Sequence, residues 1–516
     1  MTPDPTVSTL EGSGRHPRVG VLPATPEALK TLAADFVREH RILPLCIEHG
    51  VLHLATADPG NEPLVENVRL LTGLEVQEVV AAESEIQERI GECYRVTVEQ
   101  MIENLHAGDG AVGEAKNLHD IEVMANEPTV INLVNVIIST ALRERASDIH
   151  LVPFEGTVEL RYRIDGLLQI KPPPPRNLHA ALVSRVKIMA DMNIAERFMP
   201  QDGHIQIHHR GARVDIRVGT MPTKYGESLV MRLLEKNTKV QTPEELGLGA
   251  ERAALLRRLV EKPHGLFLTT GPTGSGKTTT LYSILQGVYT PEKKIITIED
   301  PIEYELTGVA QIPVRPTRQF TFATGLRAIL RQDPDIVMVG EIRDSETAEI
   351  AIRAALTGHQ VFSTLHTNDA PSSVTRLRDM GVEPFLITAT VEAIQAQRLV
   401  RRVCQNCRAG YEPTREQMME INLTPEQCKG KQFFYGEGCD KCNNLGFKGR
   451  TGLYELLLMT DDLRDMVSRG SSTDAIRNHT RKQGTASLRD SGLRALFAGT
   501  TTLDEVVRET VQEDEA

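Results

Sequence analysis

Short apolar runs alternate with amphipathic stretches in the middle of the chain, which is typical of strands joined by helices. The run Gly265–Thr270 is largely apolar, and Thr279–Val288 has the spacing of a helix. Two more runs, Lys294–Ile298 and Ile336–Val339, are short and rich in β-branched residues, which predicts buried strands. Strands that alternate with helices favour a parallel sheet. We therefore predict a multidomain α/β protein whose central domain contains these segments.

The remaining pattern divides the chain into further parts. An amphipathic helix is predicted over Val130–Arg145, and a proline spacer, Pro172–Pro175, cannot lie inside a helix or a central strand. The start of the chain is rich in Pro, Ser, Gly and Thr, which predicts disorder. The predicted organisation is a disordered start, 1–18; a small α/β domain, 19–95; a polar linker, 96–126; a second α/β domain, 127–247; the central domain, 248–400; a cysteine-bearing module, 401–450; and a helical C-terminal region, 451–516.

Composition and charge narrow the class of protein. Apolar residues make up 40% and charged residues 25% of the 516, as in ordinary globular proteins. The formal net charge of −12 argues against a nucleic-acid-binding protein, since such proteins usually have a basic footprint. The sequence contains no apolar run near the length that spans a bilayer and no N-terminal hydrophobic segment. We therefore expect a cytoplasmic protein with reduced or metal-bound cysteines.

The segment Gly271–Thr278 reads GPTGSGKT and fits the phosphate-loop pattern G-x-x-x-x-G-K-[ST]. In this pattern Lys277 reaches the β- and γ-phosphates, and the Thr278 hydroxyl holds Mg²⁺. A strand before the loop and a helix after it would aim the positive end of the helix at the anion. An ordinary strand–turn–helix with incidental glycines is the alternative, which the complete pattern disfavours. The predicted nucleotide contacts are Gly271, Pro272, Thr273, Gly274, Ser275, Gly276, Lys277, Thr278 and Thr279.

Acidic residues follow the next two predicted strands. Glu299, Asp300 and Glu303 come at the end of Lys294–Ile298, where carboxylates beside a phosphate loop can position water or metal. A solvated junction between a strand and a loop is the alternative reading. Ile336–Val339 ends in Gly340-Glu341, which resembles the second Walker motif with glycine where an aspartate commonly stands. Glu341 itself would then hold the metal-bound water.

Hydrolysis of a γ-phosphate requires a positioned water and positive charge. Glu303 is the first candidate to orient the water, and Glu341 is the second. His366, in a polar turn after a strand, would sense the γ-phosphate or stabilise the turn. Arg217 and Arg232 lie on strand-like segments and would complete the site as arginine fingers do, or be ordinary surface charges.

Two C-x-x-C pairs, Cys404/Cys407 and Cys439/Cys442, indicate a metal site. Each pair can form a tight turn whose two thiolates share one tetrahedral Zn²⁺. The gap between the pairs is longer than in usual zinc ribbons, so we expect an extra hairpin or helix within it. A redox pair is disfavoured because neither pair begins a thioredoxin-like unit.

Six segments together resemble the secretion ATPase superfamily, which powers type II secretion and type IV pilus assembly and retraction. They are Arg145–His150, Pro200–Gly203, the loop GPTGSGKTTT, Ile298–Glu303, Leu330–Asp335 and Ser363–Thr367. Within the superfamily, Pro173–Arg185 and the cysteine module look most like the type II secretion ATPase, and the pilus-assembly ATPase is the alternative.

The resemblance implies a fold and roles for residues. The fold would be a RecA-like P-loop ATPase core preceded by a PAS-like α/β domain that brings Arg217 and Arg232 to the nucleotide. Glu303 matches the catalytic glutamate of an aspartate box that begins at Glu299. Glu341 matches an atypical Walker B glutamate, and His366 lies in a histidine box. The implied cofactors are ATP, Mg²⁺ and Zn²⁺.

The resemblance also implies an assembly and partners. Members work as homo-hexameric rings on the cytoplasmic face of the inner membrane, where they move an assembly platform protein. The domain over 19–95 would dock on the cytoplasmic domain of an inner-membrane secretion protein, so the chain would be membrane-associated through partners. Some relatives instead bind cyclic di-GMP there, but only Arg18–Gly20 bears a faint resemblance to that signature and its leucine-rich companion is absent, which favours docking.

Two other functions are compatible with the same core. One is a regulator that binds ATP without hydrolysing it, and the other is a motor that handles DNA. The presence of Lys277, Thr278, Glu303 and Glu341 favours hydrolysis. The acidic balance of the chain argues against DNA as a partner.

Overall fold

The computed structural model describes residues 24–29, 31–32, 34–93, 118–209, 212–235, 240–315, 318–421 and 423–510. These residues belong to two compact units, Met1–Ala111 and Val112–Ala516. The stretch predicted to be disordered, 1–18, lies outside the described residues. None of the described helices is long and apolar enough to cross a membrane.

The first unit is a small α/β domain around a three-stranded sheet. Strands β1 and β2 are antiparallel, and β2 and β3 are parallel. Asn61 caps α3 by accepting a hydrogen bond from Leu64 N, and Gly73 ends the helix in a left-handed conformation with φ 68°. The elements are α1 Pro26–Leu29, α2 Ala34–His40, β1 Ile42–Glu48, β2 Val51–Thr56, α3 Glu62–Thr72, β3 Glu75–Val80 and α4 Glu83–Cys93.

The second unit opens with a helical pair followed by an antiparallel sheet. Its six strands have the order β6-β5-β4-β9-β8-β7, and helices α6 and α7 contact the sheet. The predicted helix Val130–Arg145 is confirmed with shifted ends, because Pro128 occupies the first turn. The elements are α5 Leu118–Ala125, α6 Pro128–Arg143, β4 Ala146–Pro153, β5 Val158–Ile164, β6 Leu167–Lys171, α7 His179–Met189, β7 Gln201–His209, β8 Ala212–Thr223 and β9 Gly226–Glu235.

Part of the predicted linker, 96–126, is wrong, because helix α5 lies within it. Residues 94–117 lie outside the described residues, but 118–125 form a helix that packs against α7. Ile121, Met124 and Ala125 are buried at helical spacing. This apolar face has a single turn and lies in a polar stretch, so it is too short to be recognised in the sequence.

The core is a seven-stranded sheet with the order β12-β11-β13-β14-β10-β15-β18. Six strands are parallel and β18 is antiparallel to β15, so the predicted parallel sheet is confirmed with one antiparallel edge strand. Side chains of β10 alternate between two apolar clusters: Leu266 and Leu268 lie in one, and Phe267 lies in the other. Because both faces are covered, β10 is buried along its whole length.

The helices of the core follow its strands in the expected alternation. The elements are α8 Ala250–Val260, β10 Gly265–Thr270, α9 Lys277–Val288, β11 Ile295–Glu299, β12 Val309–Pro313, α10 Phe322–Ile329, β13 Ile336–Val339, α11 Ser345–Leu356, β14 Gln360–Leu365, α12 Ala370–Asp379, α13 Pro384–Thr390 and β15 Val391–Val403.

The sheet extends beyond the predicted core, 248–400. Strand β15 continues past residue 400, and its partner β18 follows the cysteine module, so the predicted boundaries at 400 and 450 both cut the sheet. The module is therefore an insertion between two paired strands. It contains the expected extra elements, a strand pair with two short helices, and the C-terminal helices begin after β18. The elements are β16 Arg408–Tyr411, α14 Arg415–Glu420, α15 Pro425–Cys428, β17 Phe433–Gly436, β18 Phe447–Leu458, α16 Asp461–Ser468, α17 Thr473–Lys482, α18 Leu488–Phe497 and α19 Leu503–Glu509.

Candidate functional site

The phosphate loop joins the end of β10 to the start of α9. Gly271 has φ 149°, and a Cβ atom there would lie 2.5 Å from the carbonyl oxygen of Gln397. Glycine therefore lets the loop pass directly over β15. Helix α9 begins at Lys277, so its N-terminal N–H groups and positive dipole end face the loop. All nine predicted nucleotide contacts of the loop, Gly271 to Thr279, lie in this segment.

The side chain of Lys277 folds back against the start of the phosphate loop. Its side chain is 9% exposed, and Nζ donates to the carbonyl oxygens of Gly271 at 2.8 Å and Pro272 at 3.1 Å. Burial lowers the pKa of Lys277 to about 8; Glu341 opposes this change and Arg398 adds to it. A phosphate anion at the loop would stabilise the charged amine, so the burial of Lys277 couples its charge to an anionic ligand.

Glu341 and His366 meet at the carboxyl ends of β13 and β14. The hydroxyls of Ser363 and Thr364 donate to the carbonyl oxygens of Val339 and Gly340, both at 2.8 Å, and tie the two strand ends together. His366 Nε2 then lies 3.0 Å from Glu341 Oε2. The predicted pair of side chains therefore comes together at one edge of the sheet.

A second contact restrains Glu341. The Arg343 guanidinium pairs with Oε1 of Glu341. Burial alone would raise the pKa of Glu341, but the hydrogen bonds from Arg343 and His366 outweigh it and hold the pKa below its ordinary value. Glu341 is thus a carboxylate at neutral pH.

Gly340 stands where the second Walker motif commonly has an aspartate, and its backbone packs closely against β11. Its N–H donates to Ile298 O at 2.8 Å, and a Cβ atom would lie 3.3 Å from that oxygen and 3.4 Å from the Glu299 Cα. Such contacts are tighter than most Cβ atoms make, so an aspartate at this position would require β11 to shift by a few tenths of an ångström.

Glu299 lies inside a hydrogen-bond network. Its carboxylate is 2% exposed and accepts hydrogen bonds from the Tyr282 hydroxyl, from Thr297 Oγ1 at 2.5 Å and from Gln311 Nε2 at 3.1 Å. Burial and the neighbouring Glu299 raise the pKa of Tyr282 well above its ordinary value. Since Tyr282 belongs to α9, this network joins the phosphate-loop helix to β11.

No pattern in the sequence marks Tyr282 and Gln311 as residues of this region. Neither belongs to a local motif, and both contacts join distant segments. The other acidic residues differ from Glu299: Asp300 is exposed and Glu303 is half-buried. A nucleotide contact by Glu299 or Asp300 remains a prediction.

The two arginines of the second domain have different partners. Arg217 Nη2 donates to Ile302 O at 2.8 Å, and its Nη1 lies 3.8 Å from Glu303 Oε2. Arg232 Nε donates to Asp148 Oδ1 at 3.0 Å. The structure therefore brings Arg217 to the candidate catalytic glutamate, while Arg232 pairs with a carboxylate of its own sheet.

The four cysteines converge on one point. Their sulfur atoms all lie within 4.8 Å of one another, and three pairs are 3.7 to 3.9 Å apart. Tetrahedral zinc bonds of about 2.3 Å place sulfur atoms roughly 3.8 Å apart, as found here. The backbone N–H groups of Gly438 and Cys439 donate to sulfur atoms of this cluster at 3.3 and 3.2 Å, as outer partners of thiolate ligands do. Cys404, Cys407, Cys439 and Cys442 thus fit a single tetrahedral metal ion.

Comparison with known protein families agrees with this geometry. The model of the family "Type II/IV secretion system protein" matches residues 124–508. This chain belongs to that family. A second model, the MshEN domain, matches residues 18–100.

Individual relatives match over most of their length. Type II secretion system protein E of Xanthomonas campestris is 43% identical over 93% of this chain and 84% of its own. The type IV pilus assembly ATPase PilB of Myxococcus xanthus is 41% identical over 94% of this chain and 87% of its own. Among solved structures, the ATPase DotB of Legionella pneumophila superposes with a TM-score of 0.53 over 74% of this chain and 97% of its own, at 21% identity.

These findings confirm the coarser predictions. The chain is an ATP-hydrolysing enzyme of the type II secretion ATPase kind, and its core has the predicted RecA-like ATPase fold. The family assignment also excludes the alternative of an unrelated strand–turn–helix with incidental glycines.

Proposed function

We propose that this chain is a homo-hexameric ATPase motor that powers type II protein secretion by driving assembly of a pseudopilus. The observation that supports hydrolysis best is the pair Glu341–His366, which lies on neighbouring strand ends beside the phosphate loop. A carboxylate and an imidazole at this edge can respond to a γ-phosphate held by the loop.

Each site residue has a role in the proposed reaction. Lys277 would neutralise the β- and γ-phosphates, and the Thr278 hydroxyl would hold Mg²⁺, which would supply further positive charge. Glu303 would orient the attacking water, and Glu341 would hold a water of the Mg²⁺ ion. His366 senses the γ-phosphate through its contact with Glu341.

The arginines complete the proposed charge balance. Arg217 already lies beside Glu303, and its guanidinium would stabilise charge that develops on the transferred phosphate. Arg232 would have to leave Asp148 to do the same. Movement of the second domain relative to the core would make this exchange possible and would be the force-producing step.

The metal of the cysteine module is proposed to be Zn²⁺ with a structural role. All four positions of the tetrahedron are filled by thiolates, so the ion would have no open position for a substrate. It would fix the module between β15 and β18 and thereby hold the adjoining C-terminal helices.

The proposed location and partners follow from the family. The ring would lie on the cytoplasmic face of the inner membrane, associated through the cytoplasmic domain of an inner-membrane secretion protein and the platform protein. The domain over residues 19–95 would be the docking module. No nucleic acid partner is proposed.

A purified-protein assay tests the ATPase roles. We expect steady phosphate release from the full-length protein, loss of release in Lys277→Ala and Glu341→Gln, and unchanged circular dichroism in both. Undiminished turnover in Lys277→Ala would overturn the assigned site. No release by the unsubstituted protein, even with its membrane partner, would favour the regulator that does not hydrolyse ATP.

Type IV pilus assembly is the second candidate, because PilB of Myxococcus xanthus matches almost the whole chain. A deletion strain distinguishes the two functions. Loss of exported enzymes from the medium with normal surface pili would support secretion. Loss of pili with normal export would support pilus assembly.

A further inference from the structure

The turn that carries His366 is fastened to the strand that precedes the phosphate loop. Strands β10 and β14 are parallel neighbours, with Thr270 opposite Leu365, so the residue before Gly271 lies beside the start of the turn. Thr270 is completely buried. Hydrogen-bond partners stabilise a hydroxyl in such a place, because leaving a buried polar group unpaired costs free energy.

Thr270 finds these partners in the turn. Its Oγ1 accepts the backbone N–H of Thr367 at 2.9 Å and lies 2.7 Å from Thr367 Oγ1 and 3.2 Å from Leu365 O. The hydroxyl has one proton and two lone pairs, so it can accept from the N–H and donate to one of the oxygens at the same time.

The network continues from Thr367 into the following helix. Thr367 Oγ1 lies 2.6 Å from Ser373 Oγ and 3.0 Å from Asp369 O. The residue after His366 is therefore held on two sides by hydroxyl groups. His366 Nε2 reaches Glu341 at 3.0 Å from this turn, and its position depends on the backbone that Thr367 fixes.

We propose that Thr270 is a positioning residue for ATP hydrolysis, which fixes the turn through Thr367 and thereby aims His366 at Glu341. The proposal rests on the role proposed for His366. It extends that role by linking the position of His366 to the residue that precedes the phosphate loop. Loss of the Thr270 hydroxyl leaves the Thr367 N–H without a partner and frees the turn to shift.

The test is steady-state hydrolysis by the full-length protein with Thr270→Val, which keeps the shape of the side chain and removes the hydroxyl. We expect kcat to fall by between roughly tenfold and a hundredfold, as misplaced catalytic groups do. KM for ATP should stay within about twofold, because the phosphate loop is unchanged. Thr270→Ser restores the hydroxyl and should restore kcat.

The chain offers a matched control in the preceding residue. Thr269 is equally buried, but its hydroxyl has no hydrogen-bond partner in the described part of the chain. Thr269→Val should therefore leave kcat unchanged. If Thr269→Val lowers kcat as much as Thr270→Val, the effect comes from repacking β10 and the proposal is wrong.

A double-mutant cycle separates this proposal from the role of His366. If Thr270 acts through His366, Thr270→Val in a His366→Ala background causes no further loss. If the fold losses of kcat in the two single variants multiply in the double variant, the inference is overturned and the role proposed for His366 stands. Full activity in His366→Ala would instead overturn the proposed role of His366. Where Thr270→Val does not fold, Thr270→Ala replaces it, because it also removes the hydroxyl that accepts the Thr367 N–H, and undiminished kcat in that variant overturns the inference.

Discussion

Arg217 on β8 and Arg232 on β9 are directly opposite each other in the sheet, yet their guanidinium groups bind different segments. Arg217 contacts Ile302 and Glu303 of the core, whereas Arg232 pairs with Asp148, which is its neighbour on the other side in β4. The row Asp148–Arg232–Arg217 therefore runs across three strands and ends at the candidate catalytic glutamate.

Arg217→Ala tests the catalytic end of this row. We expect kcat to fall by at least about a thousandfold if Arg217 acts as an arginine finger. The free energy of unfolding should fall by only about 1 kcal/mol, because the substitution removes one hydrogen bond to Ile302 O and an ion pair with Glu303 that is partly exposed and 3.8 Å long. Phosphate release and urea denaturation measure the two effects.

Arg213→Ala is the control for that substitution. Arg213 lies on the same strand and contacts Gln206 and Asp215. Its loss should leave kcat unchanged. Equal losses of kcat in both variants would mean that Arg217 acts only through the positive charge that it adds to the sheet.

Tyr282→Phe tests the buried network around Glu299. The substitution removes the hydroxyl that donates to a carboxylate 2% exposed, so we expect the free energy of unfolding to fall by about 1 to 3 kcal/mol. Tyr304→Phe is the control: Tyr304 packs edge-on against Tyr282 at 4.7 Å, and its hydroxyl has no hydrogen-bond partner in the described ranges. Equal stability changes in the two variants, measured by denaturation, would contradict the network's importance.

The sequence predicts the strands of the core and which of their ends carry neighbouring polar side chains. Ile336–Val339 is a strand with the predicted bounds, and Glu341 and His366 meet because parallel strands end at one edge of the sheet. Such predictions succeed because they depend on local pattern and on one rule of topology.

The missed features depend on tertiary contacts. Thr270 and Thr367 are brought together by the pairing of two strands, and Tyr282 reaches Glu299 from the phosphate-loop helix. No local pattern in the sequence indicates either contact. The boundary error has a similar cause. Strands β15 and β18 pair with each other, but the cysteine module separates them in the chain, so the sequence does not indicate that they form one hairpin.

Cys404→Ser tests the metal site. Removal of one of four thiolates should release the ion and lower the stability of the module, since its fold depends on the metal. Elemental analysis of purified protein measures zinc, and we expect about one equivalent in the unsubstituted chain. Cys428→Ala is the control, because Cys428 is buried in the module's apolar cluster and is not a member of the metal cluster. No zinc in carefully purified unsubstituted protein would contradict the assignment.

Glu455 predicts a pH dependence of stability. It is buried on β18, and burial first, then the nearby Asp369, raises its pKa to about 7; the Ala370 N–H, Arg477 and Arg481 act in the opposite direction. The folded protein therefore binds this proton more tightly than the unfolded chain, whose ordinary value is 4.5. The stabilisation is complete below that value and is lost as the pH rises through about 7.

Glu455→Gln removes this pH dependence of stability, because glutamine resembles the protonated acid at every pH. From about pH 5 to about pH 7, we expect the stability of the unsubstituted protein to fall relative to Glu455→Gln by at most about 1.4 kcal/mol per pH unit. Urea denaturation across this range measures the difference. The exposed Glu412 provides the control, and Glu412→Gln should follow the unsubstituted protein. A constant difference between Glu455→Gln and the unsubstituted protein across this range would mean that Glu455 has the same pKa in the folded and unfolded states, and the Ala370 N–H and the charges of Arg477 and Arg481 would then offset burial.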